Sequence, residues 1–314
     1  MAPTSSAFNQ FSSGDVLADR RVDYARMLAE AGDHAAAAEL IEQALELSPH
    51  WAAGWFLLGE YREKAGRPDA ADAYRQTLEL EPEDVFGATL KLALLGEESV
   101  PDLPPSGYIE SLFDDYADRF DTALVEKLNY SVPEKLAALV APHAPFDYVV
   151  DLGCGTGLLG EAIRSSVTRL EGFDISANML VRAEQKAVYD HLGQADLSLP
   201  HHEAGLFSEN LGLHRADLVS AADVLMYLGS LETVFPLVTA LLRPNGLFAF
   251  SVEDAGSDGG FVLRESLRYA HSQAYIEMLL AQHGFTLAEL QRTVIRTDGG
   301  NPVRGILFLS RLGA

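Results

Sequence analysis

The chain has 314 residues, 48% hydrophobic and 22% charged, with a net charge of −23; that is the composition of a soluble globular protein with room for about two domains. A surface so acidic repels phosphate, which argues against nucleic acid and anionic membranes as partners. Its single cysteine, Cys154, excludes an internal disulfide, no metal cluster is visible, and neither a signal-peptide core nor an apolar run of membrane-spanning length occurs, so the default location is cytoplasmic.

Residues 1–17 are Ser-rich and polar and are expected to form a flexible tail. An internal repeat follows. Gly32, Ala37, Ile41, Ala44-Leu45 and Pro49 recur as Gly66, Ala70, Tyr74, Thr77-Leu78 and Pro82, at an offset of 33 residues except for the glycine, where it is 34. Trp55, Leu58 and Gly59 precede the second set. Small residues let two antiparallel helices approach, large ones fill the layer above, and proline stops the second helix. The pattern resembles tetratricopeptide repeats, more closely in the second repeat than in the first, where Arg21 and Ala25 replace the usual aromatic and glycine. Glu83–Leu95 reads as one further helix. Two and a half repeats fall below the usual stable minimum, so this module, residues 18–96, is expected to lean on its neighbour. It either lines a groove for a protein partner or serves as a packing platform for self-association or shielding.

Residues 97–130 hold a linker marked by Pro101, Pro104-Pro105 and Ser106-Gly107, then a helix over Tyr108–Leu128. Leu112-Phe113, Tyr116, Phe120 and Leu124 share one stripe of that helix. Ser131-Val132-Pro133-Glu134 starts another helix, with proline in its first turn, and opens a domain expected over 131–314.

From Tyr148 the chain alternates strand and helix, as a parallel doubly wound sheet requires. Tyr148–Leu152 reads as a buried strand that carries Asp151 at its tip and breaks into Gly153-Cys154-Gly155-Thr156-Gly157, with a helix over Leu158–Val167. Glycine at every second position lets a backbone approach a bulky ligand; Cys154 reads as a small filler of that turn. Nineteen residues after Gly155 the next apolar stretch ends in Asp174, and a carboxylate at a strand tip can accept both hydroxyls of a ribose. Gly155-Thr156-Gly157-Leu158-Leu159-Gly160 also satisfies the dinucleotide pattern G-x-G-x-x-G. Register disfavours that reading, because it puts Asp151 and Gly153 inside the strand. Ser176 can cap the next helix, a short strand near Leu192–Ala195 ends in Asp196-Leu197, and His201-His202 read as surface residues. Ala216–Leu225 is the fourth strand and its exit, and Leu242–Ser251 the fifth, entered through an Asn245-Gly246 turn. Arg268–Ser272 is expected to open a helix running to Gly284. Arg292–Arg296 and Val303–Ser310 are expected to pair antiparallel around Asp298-Gly299-Gly300.

The glycine loop, with Asp151 before it and Asp174 after it, resembles the cofactor site of class I S-adenosylmethionine (SAM) dependent methyltransferases. Phe113–Asp121 resembles the aromatic helix that small-molecule methyltransferases fold over cofactor and substrate, although an amphipathic helix packed on the core explains the stripe as well. Over most of its length the chain is similar to bacterial predicted methyltransferases that carry tetratricopeptide repeats. The resemblance implies an α/β Rossmann-like domain with a mostly parallel seven-stranded sheet, preceded by an all-α tetratricopeptide-like module. It implies methyl transfer to an oxygen or nitrogen of a small molecule, or of a protein docked on the repeats. By the same resemblance Gly153, Gly155 and Gly157 admit the methionine part of SAM, Asp151 orients its ammonium and Asp174 holds the ribose. Ile175, Met179 and Leu197 contribute to the cofactor site, Met179 against the adenine, and Asp196 takes the adenine amino group unless it is a solvated loop carboxylate. Asp223, Leu225, Met226 and Tyr227, just past the fourth strand, would face the methyl group. His271 is the expected general base, since imidazole titrates near neutrality, with a capping or packing role equally open; Tyr269, Tyr227 and Asp223 complete the candidate acceptor pocket. A non-catalytic SAM-binding scaffold and an NAD-type oxidoreductase are the alternative classes.

Overall fold

The N-terminal helices follow from their punctuation. The computed structural model describes residues 12–117, 120, 130–256 and 259–314. In it α1 (Val16–Glu30) starts at Asp15, whose carboxylate accepts from the amides of Leu17 and Ala18, and α2 (His34–Leu47) starts at Asp33, which accepts from Ala36. Gly32 and Gly66, both at positive φ, turn the chain after α1 and after α3 (Ala52–Lys64). With α4 (Ala70–Leu80) and α5 (Ala88–Leu94) each helix packs on the next. Ala25, Ala37, Ala44 and Ala73 are fully buried among Ile41, Leu58 and Tyr74, and a Cβ added at Gly59 would lie 2.5 Å from the Tyr74 ring. Small residues therefore set the helix spacing. Val16 and Leu17, assigned to the tail by sequence, belong to α1; residues 1–11 of that tail lie outside the described residues.

The chain forms two compact units divided between Leu112 and Phe113, inside α6 (Ser106–Tyr116). The expected run of that helix to Leu128 falls largely on 118–119 and 121–129, outside the described residues.

The second unit is built on a sheet. After α7 (Val132–Val140) come β1 (Phe146–Leu152), α8 (Leu158–Ile163), β2 (Val167–Asp174), α9 (Ala177–Lys186), β3 (His191–Gln194), β4 (Ala216–Ala221), α10 (Val234–Leu241) and β5 (Leu242–Asp254). Then follow β6 (Phe261–Leu263), β7 (Tyr269–His271), α11 (Gln273–Gln282), β8 (Phe285–Asp298) and β9 (Asn301–Leu312). Strands β3-β2-β1-β4-β5 run parallel, β9 lies antiparallel on β5, and β8 antiparallel on β9. The expected count of seven strands is exceeded among the described residues. The short hairpin β6–β7 brings the described sheet to nine. Here the structure corrects the sequence reading: Tyr269–His271 is a strand, and the helix begins only at Gln273, capped by the Ser272 hydroxyl, which accepts from Tyr275.

Val149, Val150, Asp151 and Leu152 are all buried, the continuous burial of a strand covered on both faces. β1 has β2 on one side and β4 on the other, so the strand order reverses there, and ligands bind outside the carboxyl ends of such a pair. Between β3 and β4 no helix covers the sheet among the described residues. Glu171, wholly buried in β2, is instead neutralised by Arg215 at 2.9 Å and accepts from the Tyr148 hydroxyl at 2.5 Å. No helix among the described residues is long and apolar enough to cross a membrane.

Candidate functional site

The loop after β1 holds Gly153, Gly155 and Gly157 at φ +62°, +55° and +91°, a left-handed series that L-residues with side chains adopt only under strain. A Cβ at Gly153 would lie 1.9 Å from Val224 Cγ2. The loop is tied to the end of β2 by the Cys154 amide, which donates to the Phe173 carbonyl at 2.9 Å. Burial pushes the Cys154 thiol well up, with Asp174 and Asp151 adding to the shift, so it stays protonated.

Asp174, at the tip of β2, accepts from the Gly155 amide at 2.8 Å through Oδ2 and from the Ser176 amide at 2.9 Å through Oδ1. Burial raises its carboxyl to about 6 against those two hydrogen bonds. Asp151 is also raised to about 6, again chiefly by burial. It accepts from the Ser220 hydroxyl of β4 and from the Tyr189 hydroxyl, both at 2.8 Å. Sequence reasoning missed Tyr189 and Ser220; the only signals were a tyrosine after α9 and a serine facing β1 in the register Asp151↔Ser220.

An aromatic cover lies over this loop. Phe120 comes within 3.8 Å of where a Gly155 Cβ would be, and Tyr116 meets Phe120 edge-on at 5.6 Å. Asp114 accepts from the Ser176 hydroxyl at 2.5 Å and the Asn178 amide at 3.2 Å, so the part of α6 that belongs to the second unit, from Phe113 on, is docked on the first turn of α9. The resulting cleft is lined by Phe120, Tyr130, Asp151, Gly153, Cys154, Gly155, Thr156 and Ala222 among others.

The remaining cofactor candidates divide. Ile175 and Asp196 are half-buried at the strand ends, Asp196 with one oxygen engaged by the Ser198 amide and hydroxyl. Leu197 is buried, and Met179 is wholly buried with its amide on the Ser176 hydroxyl; the Met179 side chain presents no accessible surface to an adenine.

Beyond the tip of β4 stand groups of a different kind. Asp223 has φ +59°, donates its amide to the Ser251 hydroxyl at 2.8 Å, and is gripped by Arg296 Nη1 at 3.0 and 2.9 Å. Arg296 Nη2 binds Glu253. The register shift between Val294 and Arg296 marks a β-bulge, which re-aims a side chain; this is how a residue of β8 reaches Glu253 on β5 and Asp223 beyond β4. Tyr227 lies edge-on to Phe113 at 4.9 Å, and its hydroxyl accepts from Arg268 Nε at 3.3 Å.

His271 does not stand at a helix start as the sequence suggested. It is in β7, fully buried, with Nε2 donating to the Gly229 carbonyl at 2.9 Å and Nδ1 without a partner. Burial lowers its pKa to about 4, so the ring is neutral; it stacks on Tyr275 at 6.0 Å. Tyr269 is fully buried too.

Comparison with known proteins agrees with this geometry. Residues 150–248 match the family described as a methyltransferase domain. Trans-aconitate 2-methyltransferase of Paracidovorax citrulli is 32% identical over 36% of this chain and 41% of its own length. Malonyl-[acyl-carrier protein] O-methyltransferase of Enterobacter lignolyticus is 30% identical over 37% of this chain and 43% of its own. The chain thus spans less than half of these curated relatives. The crystal structure of Burkholderia thailandensis 1,6-didemethyltoxoflavin-N1-methyltransferase, bound to 1,6-didemethyltoxoflavin and S-adenosylhomocysteine, has a TM-score of 0.50 at 20% identity, covering 69% of this chain and 94% of that one. This likeness establishes the fold.

Proposed function

We propose that this chain is a cytoplasmic SAM-dependent methyltransferase acting on a small-molecule acceptor. The observation that carries the reading is Asp174. Two backbone amides pin its carboxylate beside a bare glycine loop at the switch point of the sheet, and each oxygen keeps a lone pair for a ribose hydroxyl. The rest of the cleft fits the same cofactor. Asp151, held by Ser220 and Tyr189, has lone pairs left for an ammonium, directly or through water. A Cβ at Gly153 would collide with Val224, so the glycine lets the loop pack closely on the exit of β4.

Bound SAM supplies a methyl group on a sulfonium, so the protein's task is positioning, with removal of a proton where the acceptor carries one. Phe120, over Gly155, helps to keep water from the cleft. Asp223 and Tyr227 are the groups we assign to holding and deprotonating the acceptor; a left-handed backbone fixed by Ser251 and Arg296 is the kind of constraint found at functional sites. The relative named as a malonyl-[acyl-carrier protein] O-methyltransferase supports an oxygen acceptor. We read α1–α2 and α3–α4 as tetratricopeptide repeats, on the strength of the glycine turns and alanine contacts, serving to dock a protein partner or to self-associate.

Calorimetry with S-adenosylhomocysteine (SAH) and with NAD tests the cofactor; SAH is expected to bind and NAD not, and equal affinities would overturn the assignment. Incubation with radiolabelled SAM and size-separated cell extract tests the acceptor. Label confined to the protein fraction would replace the small molecule with a docked protein.

A further inference from the structure

We propose that the acceptor is a carboxylate-bearing small molecule and that Arg268 selects it by pairing with the carboxylate; this rests on the methyl-transfer reading above. The place of Arg268 follows from register. β9 occupies one edge of β5 as far as Glu253, and β4 occupies the other as far as Phe250. β7 meets Glu253 and Asp254, so it continues the β4 edge. Extending that parallel register puts Arg268 level with Ser251, the residue that holds the Asp223 amide. Arg268 therefore stands directly beyond the tip of β4, where an acceptor would meet the cleft.

Two guanidinium groups occupy this corner, and they differ in what they have left to give. Arg296, 1% exposed, is taken up by Asp223 and Glu253, which leaves both of those carboxylates engaged as well. Among the described residues the Arg268 side chain makes two hydrogen bonds, Nε to the Tyr227 hydroxyl at 3.3 Å and Nη1 to Asp298 at 3.4 Å, both near the long limit for hydrogen bonding. Its Nη2 donates to nothing among the described residues. The side chain is 19% exposed and lies over the Tyr227 ring at 5.8 Å. A planar fork steadied against an aromatic face is suited to bidentate recognition of a carboxylate.

Charge balance favours the same acceptor. Asp298 is 23% exposed and adjoins the Gly299-Gly300 turn of the β8–β9 hairpin; it holds the place that the acceptor's carboxylate takes when it enters. That exchange leaves the number of charges around the two arginines unchanged. An amine acceptor would bring a cation to a corner whose inner carboxylates already face Arg296.

The test uses the full chain, SAM carrying a tritiated methyl group, and a metabolite extract split on an anion exchanger into unretained, acid-eluted and salt-eluted fractions. Carboxylates are released when acidified, whereas phosphate esters stay until salt. Label is expected from the acid-eluted fraction. Label from the unretained or salt-eluted fraction alone, or only from the protein fraction of the same extract assayed alongside, overturns the proposal while leaving methyl transfer standing; no label from any of these fractions removes methyl transfer itself. With the acceptor in hand, Arg268→Gln should raise its KM on the order of 10- to 100-fold, with SAH affinity unchanged, and Arg268→Lys should recover part of the loss. Asp298→Asn should lower KM, and it decides the matter if Arg268→Gln fails to fold. An unchanged KM in Arg268→Gln, or an unchanged or raised KM in Asp298→Asn, overturns the assignment.

Discussion

Acidification should weaken cofactor binding, and Asp174 sets the size of the effect. Its carboxyl is raised to about 6 by burial, with Asp114 adding to the shift. A ribose hydroxyl donates to the ionised form, so binding demands ionisation and, below that pKa, releases a proton. A group titrating at about 6 is about one-tenth ionised at pH ~5 and almost fully ionised at pH ~8. SAH affinity should therefore fall about tenfold, or ~1.4 kcal/mol, over that interval from Asp174 alone. Asp151, also raised to about 6, is the group we assign to the ammonium, and it steepens the fall toward about a hundredfold where both must ionise. Stability of the unliganded chain runs the other way. Because the folded-state pKa is raised above the ordinary 3.8, the stabilisation is fully present below that value and is lost as pH rises through about 6, about 3 kcal/mol for each group. Calorimetry with SAH from pH ~5 to ~8, in two buffers of different ionisation enthalpy, reads both affinity and proton release. Asp174→Asn should remove about one tenfold step of the pH dependence and weaken binding at pH ~8 by on the order of 1.5–3 kcal/mol. Flat SAH affinity across this range in the native chain would refute the reasoning.

Three further perturbations bear on the rest of the site. Gly153→Ala places a Cβ 1.9 Å from Val224 Cγ2 at a positive φ and should cost at least ~2 kcal/mol by thermal melting; a native melting temperature in this variant would contradict the close packing of the loop on Val224. Asp223→Asn should keep SAH affinity while lowering turnover by a factor of roughly 10²–10⁴, and unaltered turnover would remove Asp223 from the acceptor site. His271→Gln should lower the melting temperature yet leave the pH–rate profile unchanged, because the ring's pKa of about 4 keeps it neutral; loss of an ionisation near neutrality would restore it as a base.

The cofactor half of the site was legible because its information is local. Alternate glycines, an acid at one strand tip and a second acid nineteen residues on are all set within a single strand–loop–helix–strand passage, and the parallel pairing of β1 with β2 then brings the Gly155 amide onto Asp174. Met179 shows where that locality ends. The family resemblance places it at the adenine, but its burial depends on how α9 packs on the sheet, which no spacing reveals. The extent of β8 was likewise understated, because its outer residues are mostly exposed and lack the apolar pattern that marks a buried strand.

On the acceptor side the decisive contacts join residues far apart in sequence, and one strand misread as helix moved the whole inference. Read as a helix start, Arg268–Ser272 made His271 the natural titrating group at the ligand end. As a strand, β7 fills the edge of β5 that β4 vacates; Tyr269, Ala270 and His271 are all buried in it, and Arg268, one step before the strand, keeps part of its side chain exposed. Arg296 was less visible still. In an unbroken strand it would stand on the opposite face from Ile295, yet both are buried; the extra residue at the bulge lets Ile295 join the core while Arg296 turns toward Asp223 and Glu253. A bulge leaves no mark in composition or hydropathy. It becomes apparent only when β8 is paired with β9, and with that pairing the general-base reading passes from a buried neutral imidazole to a carboxylate that Arg296 holds at the tip of β4.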